Sequence, residues 1–182
     1  MLYLLLAVII AVTDQLVKNW AVLNLRGRGT VEFVPGILNF YYAENTGAAF
    51  SILRNQRWLF ISVSIIAVIV IIYIILFKKI RSVWGLLPLS MVLGGAVGNL
   101  IDRIANGYVV DMFEFAFVRF AIFNVADIFV TVGGILFCIY YLYAETVKLK
   151  KSEAFAAAEN SQDEDSSGEV AGQPYTEGEE NK

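Results

Sequence analysis

The sequence predicts an all-α membrane protein with four transmembrane helices, a small extracytoplasmic β-rich segment and a disordered C-terminal tail. Of its 182 residues, 58% are hydrophobic and only 17% are charged, whereas about 25% are charged in a typical soluble domain. Four windows reach the length of about 20 apolar residues that the hydrocarbon core of a bilayer requires. They are residues 1–20, 58–77, 82–101 and 121–143.

The first window is interpreted as a retained helix and not as a removable signal peptide. No Lys or Arg precedes its apolar run, and no small-residue cleavage pattern follows it. Asp14 and Lys18 lie four residues apart with the acid on the N-terminal side, the favourable order for an ion pair on one helix face. We therefore expect a structural role for both residues.

The polar segment between the first two windows contains a short sheet signal. Pro35-Gly36 separates the apolar and aromatic runs Val31–Val34 and Ile37–Tyr42, a pattern that predicts two strands around a turn. The aromatic side chains fit the headgroup level of a membrane surface.

The third window combines small and polar residues. Gly94 and Gly98 form a Gly-xxx-Gly spacing that is typical of closely packed membrane helices. Asn99 and Arg103 follow it one turn apart, so their side chains point the same way near the outer end of the helix.

The fourth window contains an acid that needs an explanation. Asp127 lies in an apolar run that is otherwise free of charge, where a carboxylate at the centre of a membrane helix costs roughly 2.5–3.5 kcal/mol and usually serves function. Asn124 precedes it by three residues on the same helix face, and a second acid, Asp111, lies just before the helix. Two carboxylates that share a buried pocket indicate proton chemistry. An enzyme and a small ion- or proton-conducting protein both fit this pattern.

Histidine is absent and there is a single cysteine. These counts exclude Ser-His and Cys-His nucleophilic sites within the chain and leave oxygen atoms as almost the only candidate zinc ligands. Carboxylate chemistry is the class that remains best supported.

Charge divides the chain into two parts. Residues 1–151 contain thirteen bases and eight acids, whereas residues 152–182 contain nine acids and one base. Such an acidic, mostly polar segment predicts disorder. We therefore expect a four-helix membrane domain over 1–151 and a disordered acidic cytoplasmic tail over 152–182.

The distribution of basic residues favours a cytoplasmic location for both termini. Six bases then lie on the inner side, in dense clusters that abut helix ends, against seven on the outer segments. The clusters decide the orientation, because the positive-inside effect acts close to helix ends. The inner bases are Lys78, Lys79, Arg81, Lys148, Lys150 and Lys151.

Five sequence blocks bring these features together. They are Asp14-Gln-Leu-Val-Lys18, Asn45-Thr-Gly-Ala-Ala-Phe-Ser51, Gly94-Gly-Ala-Val-Gly-Asn-Leu-Ile-Asp-Arg103, Val109-Val-Asp111 and Phe123-Asn-Val-Ala-Asp127. In order and spacing, these blocks closely resemble those of the bacterial lipoprotein signal peptidases, or signal peptidase II, which are intramembrane aspartic peptidases. The resemblance covers residues 1 to about 145 and leaves the tail without a counterpart.

This resemblance implies a membrane aspartic endopeptidase that removes signal peptides from diacylglyceryl-modified prolipoproteins and cuts before the lipidated cysteine. Asp111 and Asp127 would be the catalytic carboxylates. The residues expected to bind substrate or support the two acids are Asn45, Gly47, Asn99, Arg103 and Asn124. No metal or organic cofactor is implied. The implied partners are prolipoproteins and membrane lipids, without nucleic acid, and the implied location is the bacterial cytoplasmic membrane with the active site near its extracytoplasmic face.

Overall fold

The computed structural model describes residues 1–47 and 56–170, with side chains up to Glu153. Over these residues the chain forms four helices and three strands. In chain order they are α1 (Leu2–Leu25), β1 (Val31–Val34), β2 (Leu38–Asn45), α2 (Arg57–Leu76), α3 (Val83–Ala105), β3 (Val109–Phe115) and α4 (Val125–Val170).

All four helices are long and apolar enough to cross a membrane, α4 through its part Val125–Glu153. This confirms the predicted class of four membrane-spanning helices with a small sheet. α3 is the central helix, because α1 and α2 both pack against it and its glycines face two neighbours. A side-chain carbon on Gly94 would lie 2.7 Å from the Ala7 carbonyl oxygen of α1, and one on Gly95 would meet the Ala126 carbonyl of α4.

The start of α4 differs from the prediction, which placed a helix over 121–143. Residues 121–124 are not helical, and α4 begins at Val125. Two backbone hydrogen bonds explain the later start: the Phe113 N–H donates to the Phe123 carbonyl at 2.8 Å, and the Phe123 N–H donates to the Phe113 carbonyl at 3.0 Å. Pairing with β3 therefore holds this apolar segment extended.

The three strands form one antiparallel sheet in the order β1-β2-β3. β1 and β2 are the predicted hairpin, with Gly36 at a positive φ of 69° in the turn, a conformation that glycine adopts at little cost. β3 is an addition that was not predicted from the sequence. Its residue Asp111 lies opposite Ala43 of β2, and the sheet packs on the end of α1 through Ala21, Leu25, Val110 and Met112.

The chain divides into two units, Met1–Tyr140 and Tyr141–Lys182. In the second unit the backbone is helical to Val170. The disordered acidic tail over 152–182 stays a prediction from the sequence. The last part of the predicted tail, residues 171–182, lies outside the described residues.

Candidate active site

A buried ion cluster joins α1 to α3. The Lys18 ammonium lies 2.8 Å from Asp14 Oδ2 and 3.1 Å from Asp102 Oδ2, and all three side chains are at most 3% exposed. The third acceptor of Lys18 is Asn99 Oδ1, at 2.8 Å. An ammonium group has three N–H donors, so these three acceptors match its full hydrogen-bonding capacity.

The two acids of this cluster also fix neighbouring backbone. Asp14 Oδ1 accepts a 2.8 Å hydrogen bond from the Ala126 N–H in the first turn of α4, and Asp102 Oδ2 accepts one of 3.0 Å from the Val110 N–H of β3. Gln15 Nε2 donates to Asp102 Oδ1 at 3.0 Å. The cluster therefore holds together the elements that carry the two predicted catalytic acids.

Asn124 and Asp127 form a reciprocal cap at the start of α4. Asn124 Oδ1 accepts a hydrogen bond of 2.9 Å from the Asp127 N–H, and Asp127 Oδ2 accepts one of 3.2 Å from the Asn124 N–H. This is the geometry of a capping box, in which two otherwise unpaired N–H groups are satisfied together. Asp127 consequently lies in the first helical turn, where the helix dipole stabilises negative charge.

Asp111, on β3, faces two amide donors. Asn124 Nδ2 donates to its Oδ1 at 2.6 Å, and Asn45 Nδ2 donates to its Oδ2 at 2.9 Å. Asn45 ends β2, and its own Oδ1 accepts a 2.9 Å hydrogen bond from the Gly47 N–H. The sheet register thus brings Asn45 to the carboxylate of the neighbouring strand.

A third amide, that of Asn99 in α3, donates a hydrogen bond to Asp127. Its Nδ2 donates to Asp127 Oδ1 at 2.8 Å, while its Oδ1 accepts hydrogen bonds from Lys18 and from Asn124 Nδ2, the latter at 3.2 Å. Asn124 therefore contacts Asp111, Asp127 and Asn99. The two carboxylates belong to one continuous hydrogen-bond network.

The protonation of Asp111 is set by its surroundings. Burial is the largest effect and the negative charge of Asp127 is the next; together they raise the pKa of Asp111 from 3.8 to about 7. The hydrogen bonds from Asn45 and Asn124 and the charge of Lys18 act in the opposite direction. Near neutral pH Asp111 is therefore able both to hold and to release a proton.

A cavity of about 430 Å³ opens beside the two acids. Its polar end is formed by Asp111, Asp127 and four of the predicted supporting residues: Asn45, Gly47, Asn99 and Arg103. Its apolar part follows α4 from Ile128 to Val132 and the segment from Phe120 to Phe123. The Arg103 guanidinium carbon lies 5.1 Å from the centre of the Phe60 ring, so the cation also contacts α2.

The structure thus brings together every residue that the sequence analysis selected. Six of them line the cavity, Asn124 is hydrogen-bonded to both acids, and Lys18, paired with Asp14, donates to Asn99. Of the Asn45–Ser51 block, residues 48–51 lie outside the described residues. Gln15 and Asp102 were not predicted as site residues. A signal for Asp102 was present, since it follows Asn99 by three residues and so shares its side of α3.

Comparisons with known proteins agree with this geometry. The family described as signal peptidase (SPase) II matches residues 6–143. A lipoprotein signal peptidase of Clostridioides difficile is 39% identical over 146 residues, which are 80% of this chain and 98% of that protein. The corresponding protein of Streptococcus agalactiae is 46% identical over 129 residues, which cover 70% of this chain and 83% of that protein.

Two solved structures of bacterial membrane enzymes have a similar fold. A bacterial membrane enzyme superimposes with a TM-score of 0.73 at 30% identity, over 80% of this chain and 90% of that chain. A second bacterial membrane enzyme has a TM-score of 0.70 at 32% identity, over 77% of this chain and 92% of that chain. On the combined evidence of sequence and fold, the chain belongs to the signal peptidase II family of membrane peptidases.

Proposed function

We propose that this protein is an aspartic endopeptidase that removes the signal peptide from prolipoproteins, with Asp111 and Asp127 as its catalytic residues. The observation that carries the proposal is the pair of acids at the polar end of the cavity, joined by Asn124, which donates to Asp111 and caps Asp127. Membership of a peptidase family disfavours the ion-conducting alternative.

The two acids take different roles in this proposal. Asp111 carries the proton of the pair near neutral pH, in keeping with its pKa of about 7. Asp127 is the ionised member, since it lies in the first turn of α4 and accepts hydrogen bonds from Asn99 and the Asn124 N–H. Two interacting carboxylates of this kind titrate as a unit and retain one proton over a wide pH range.

The reaction follows from these roles. Asp127 takes a proton from water as the water oxygen attacks the carbonyl carbon of the scissile bond, and Asp111 donates its proton to the carbonyl oxygen. The resulting gem-diol returns one proton to Asp111, and Asp127 passes its proton to the amide nitrogen as the C–N bond breaks. The products are a carboxylic acid and an amine, and both acids recover their starting states.

The substrate class agrees with the shape of the cavity. Its polar end suits a peptide backbone, and its apolar part runs along a membrane-spanning stretch of α4. Such a division suits a peptide whose cysteine bears a diacylglyceryl group, with the acyl chains in contact with the apolar wall and the surrounding lipid. Cleavage would occur just before that cysteine.

Both termini would face the cytoplasm and the active site the opposite side. Basic clusters at residues 78–81 and 148–151 support this orientation through the positive-inside effect. The sheet, the end of α1 and the start of α4 meet at the site, so one membrane face would carry all of the chemistry. Residues 1–151 would form the peptidase domain, with 152–182 outside it.

The test is cleavage of a purified prolipoprotein in two forms, with and without diacylglycerol on its cysteine. Detergent-purified wild type should cleave only the lipidated form. Asp111→Asn and Asp127→Asn should each lower kcat by about 10²–10⁴-fold, since each keeps the side-chain shape but loses proton transfer, a contribution of typically that size. Glu44→Gln, an exposed acid of the same sheet paired with Arg26, is the matched control and should retain activity.

Each outcome has a distinct meaning. Wild type that leaves the lipidated precursor intact while folded would remove the substrate assignment. Turnover retained by one folded Asn variant would remove that acid from the mechanism, without affecting the other. Equal cleavage of the unlipidated precursor would show that the lipid is not recognised.

A further inference from the structure

Three amides surround the two acids, and each presents its nitrogen to a carboxylate. Asn45 and Asn124 donate to Asp111, and Asn99 donates to Asp127. An ionised carboxylate only accepts hydrogen bonds, so an amide turned by 180° would present an oxygen to an oxygen. Each amide therefore needs a donor on its own oxygen to hold the productive orientation.

Two of these amides are oriented by nearby backbone. The Gly47 N–H donates to Asn45 Oδ1, and the Asp127 N–H donates to Asn124 Oδ1, each at 2.9 Å. Both donors lie within three residues of the amide that they orient. The local backbone therefore fixes the orientation of Asn45 in the turn after β2 and that of Asn124 at the start of α4.

The orientation of Asn99 depends on another helix. Its oxygen accepts hydrogen bonds from Lys18 Nζ of α1, at 2.8 Å, and more distantly from Asn124 Nδ2, at 3.2 Å. Asp14 and Asp102 occupy the other two donors of Lys18. Because these acids hold the ammonium from both sides, its remaining N–H points at Asn99.

We propose that Lys18 is a positioning residue for catalysis, which acts on Asp127 by fixing the side-chain amide of Asn99. The proposal rests on the catalytic role of Asp127 proposed above. Among the described residues, those that line the cavity include Asn99 and Asp127 but not Lys18. Lys18 would therefore influence turnover without touching the substrate, which separates it from a binding residue.

The first test is Lys18→Met, which keeps an unbranched side chain of similar length and removes the donor. We expect kcat to fall by about 10²-fold, the loss that a small misplacement of a reacting group can produce, with little change in KM. Leu89→Ala, a core substitution in α3 outside the network, controls for lost stability. It should lower the melting temperature and leave kcat per folded molecule unchanged.

A double-mutant cycle tests the route through Asn99. If Lys18 acts through that amide, Lys18→Met should cause no further loss of kcat in an Asn99→Ala background. Losses that multiply would overturn the proposal, because Lys18 would then act independently of Asn99. A folded Lys18→Met protein with wild-type kcat would overturn it as well.

Lys18→Met leaves two buried acids without their cation and is at risk of misfolding. The variant Lys18→Met/Asp102→Asn reduces this problem, since it removes one positive and one negative charge, keeps the net charge of the cluster and leaves only Asp14 without the ammonium. It should fold and still show the loss of kcat. If wild type cleaves the lipidated precursor and this folded variant matches its kcat, only the role of Lys18 is lost. If wild type is inactive, the proposed function itself is lost.

Discussion

Asp14 of α1 accepts a hydrogen bond of 2.8 Å from the backbone N–H of Ala126, a residue that follows it by 112 positions. The other oxygen of Asp14 contacts Lys18 at 2.8 Å. One fully buried carboxylate thus neutralises a lysine and satisfies a helix N–H that has no partner within its own helix. This relationship connects the first membrane helix to the start of the last.

Loss of Asp14 should therefore affect stability more than chemistry. Removing one partner from a buried ion pair costs about 3–5 kcal/mol, so Asp14→Ala should lower the free energy of unfolding by this amount. Thermal melting in detergent would measure the effect. Glu44→Ala, which breaks a largely exposed pair with Arg26, should change stability by no more than about 1 kcal/mol. Equal losses in the two variants would contradict the structural role of Asp14.

The two functions of Asn124 can be separated by substitution. Asn124→Ala removes both the cap of α4 and the donor to Asp111, and it should cost about 1 kcal/mol of stability together with most of the activity. Asn124→Ser keeps a good capping oxygen but has no amide to reach Asp111. We expect near wild-type melting and low kcat for the serine variant, and full activity in it would show that the amide donor is dispensable.

Activity should decrease as pH rises through neutrality. The proposed mechanism needs Asp111 protonated, and its pKa of about 7 in the substrate-free protein places the alkaline limb of the kcat/KM profile close to that pH. A pH series on the lipidated precursor between about pH 5 and pH 9 would locate the limb. A rate that stays constant across this range would contradict the assignment of the proton to Asp111.

The raised pKa of Asp111 also affects stability. The folded state binds the proton more tightly than the unfolded chain, whose carboxyl titrates near 3.8. The stability contribution of Asp111 is therefore fully present below about pH 4 and decreases as pH rises through about 7. Asp111→Asn cannot ionise, so its melting temperature relative to wild type should increase between these limits. An unchanged difference would show that the carboxyl is not perturbed.

Two adjacent glycines of α4 provide a packing test. A methyl group on Gly133 would lie 2.8 Å from the Pro88 carbonyl oxygen and 2.9 Å from Met91 Cβ, whereas one on Gly134 would meet nothing within 4 Å. Gly133→Ala should therefore destabilise the protein by about 1–3 kcal/mol through overpacking. Gly134→Ala should stabilise it by up to about 1 kcal/mol, because alanine is the better helix former. Equal melting temperatures would contradict the α3–α4 packing.

Removal of the acidic tail should leave catalysis intact. The match to the signal peptidase II family ends at residue 143, and the lining of the cavity ends at Val132. A chain that ends at Lys151 should therefore cleave the lipidated precursor at the wild-type rate. A large fall in kcat for this shortened, folded protein would show that residues 152–182 contribute to the reaction.

Local patterns were sufficient to predict the helices and the β1–β2 hairpin. High hydropathy over about 20 residues predicts a membrane span directly, and Pro35-Gly36 predicts a turn. β3 was missed because it pairs with β2, whose partner residue Ala43 precedes Asp111 by 68 positions, and no local pattern records such pairing. The runs Val109–Val110 and Phe113–Phe115, bounded by Gly107, were nevertheless compatible with a strand.

The start of α4 was misplaced for a different reason. Residues 121–123 are as apolar as the helix that follows, so hydropathy cannot distinguish the two. The capping pattern of Asn124 with an acid three residues later was the available signal. Only part of the cluster around Lys18 could be predicted from the sequence. The spacing of Lys18 to Asp14 predicted their ion pair on α1. The contacts of Lys18 with Asp102 and Asn99 depend on how α1 packs against α3, which no local pattern predicts.

The hydrogen-bond network around the two acids has a consequence for the biosynthesis of the protein. Its members come from α1, β2, α3, β3 and α4, and the last of these elements to leave the ribosome carries Asp127. A partly synthesised chain that has inserted three helices has Asp111 but neither the second acid nor the cap that joins the pair. The complete hydrogen-bond network therefore forms only after α4 has been synthesised and has packed against the three earlier helices.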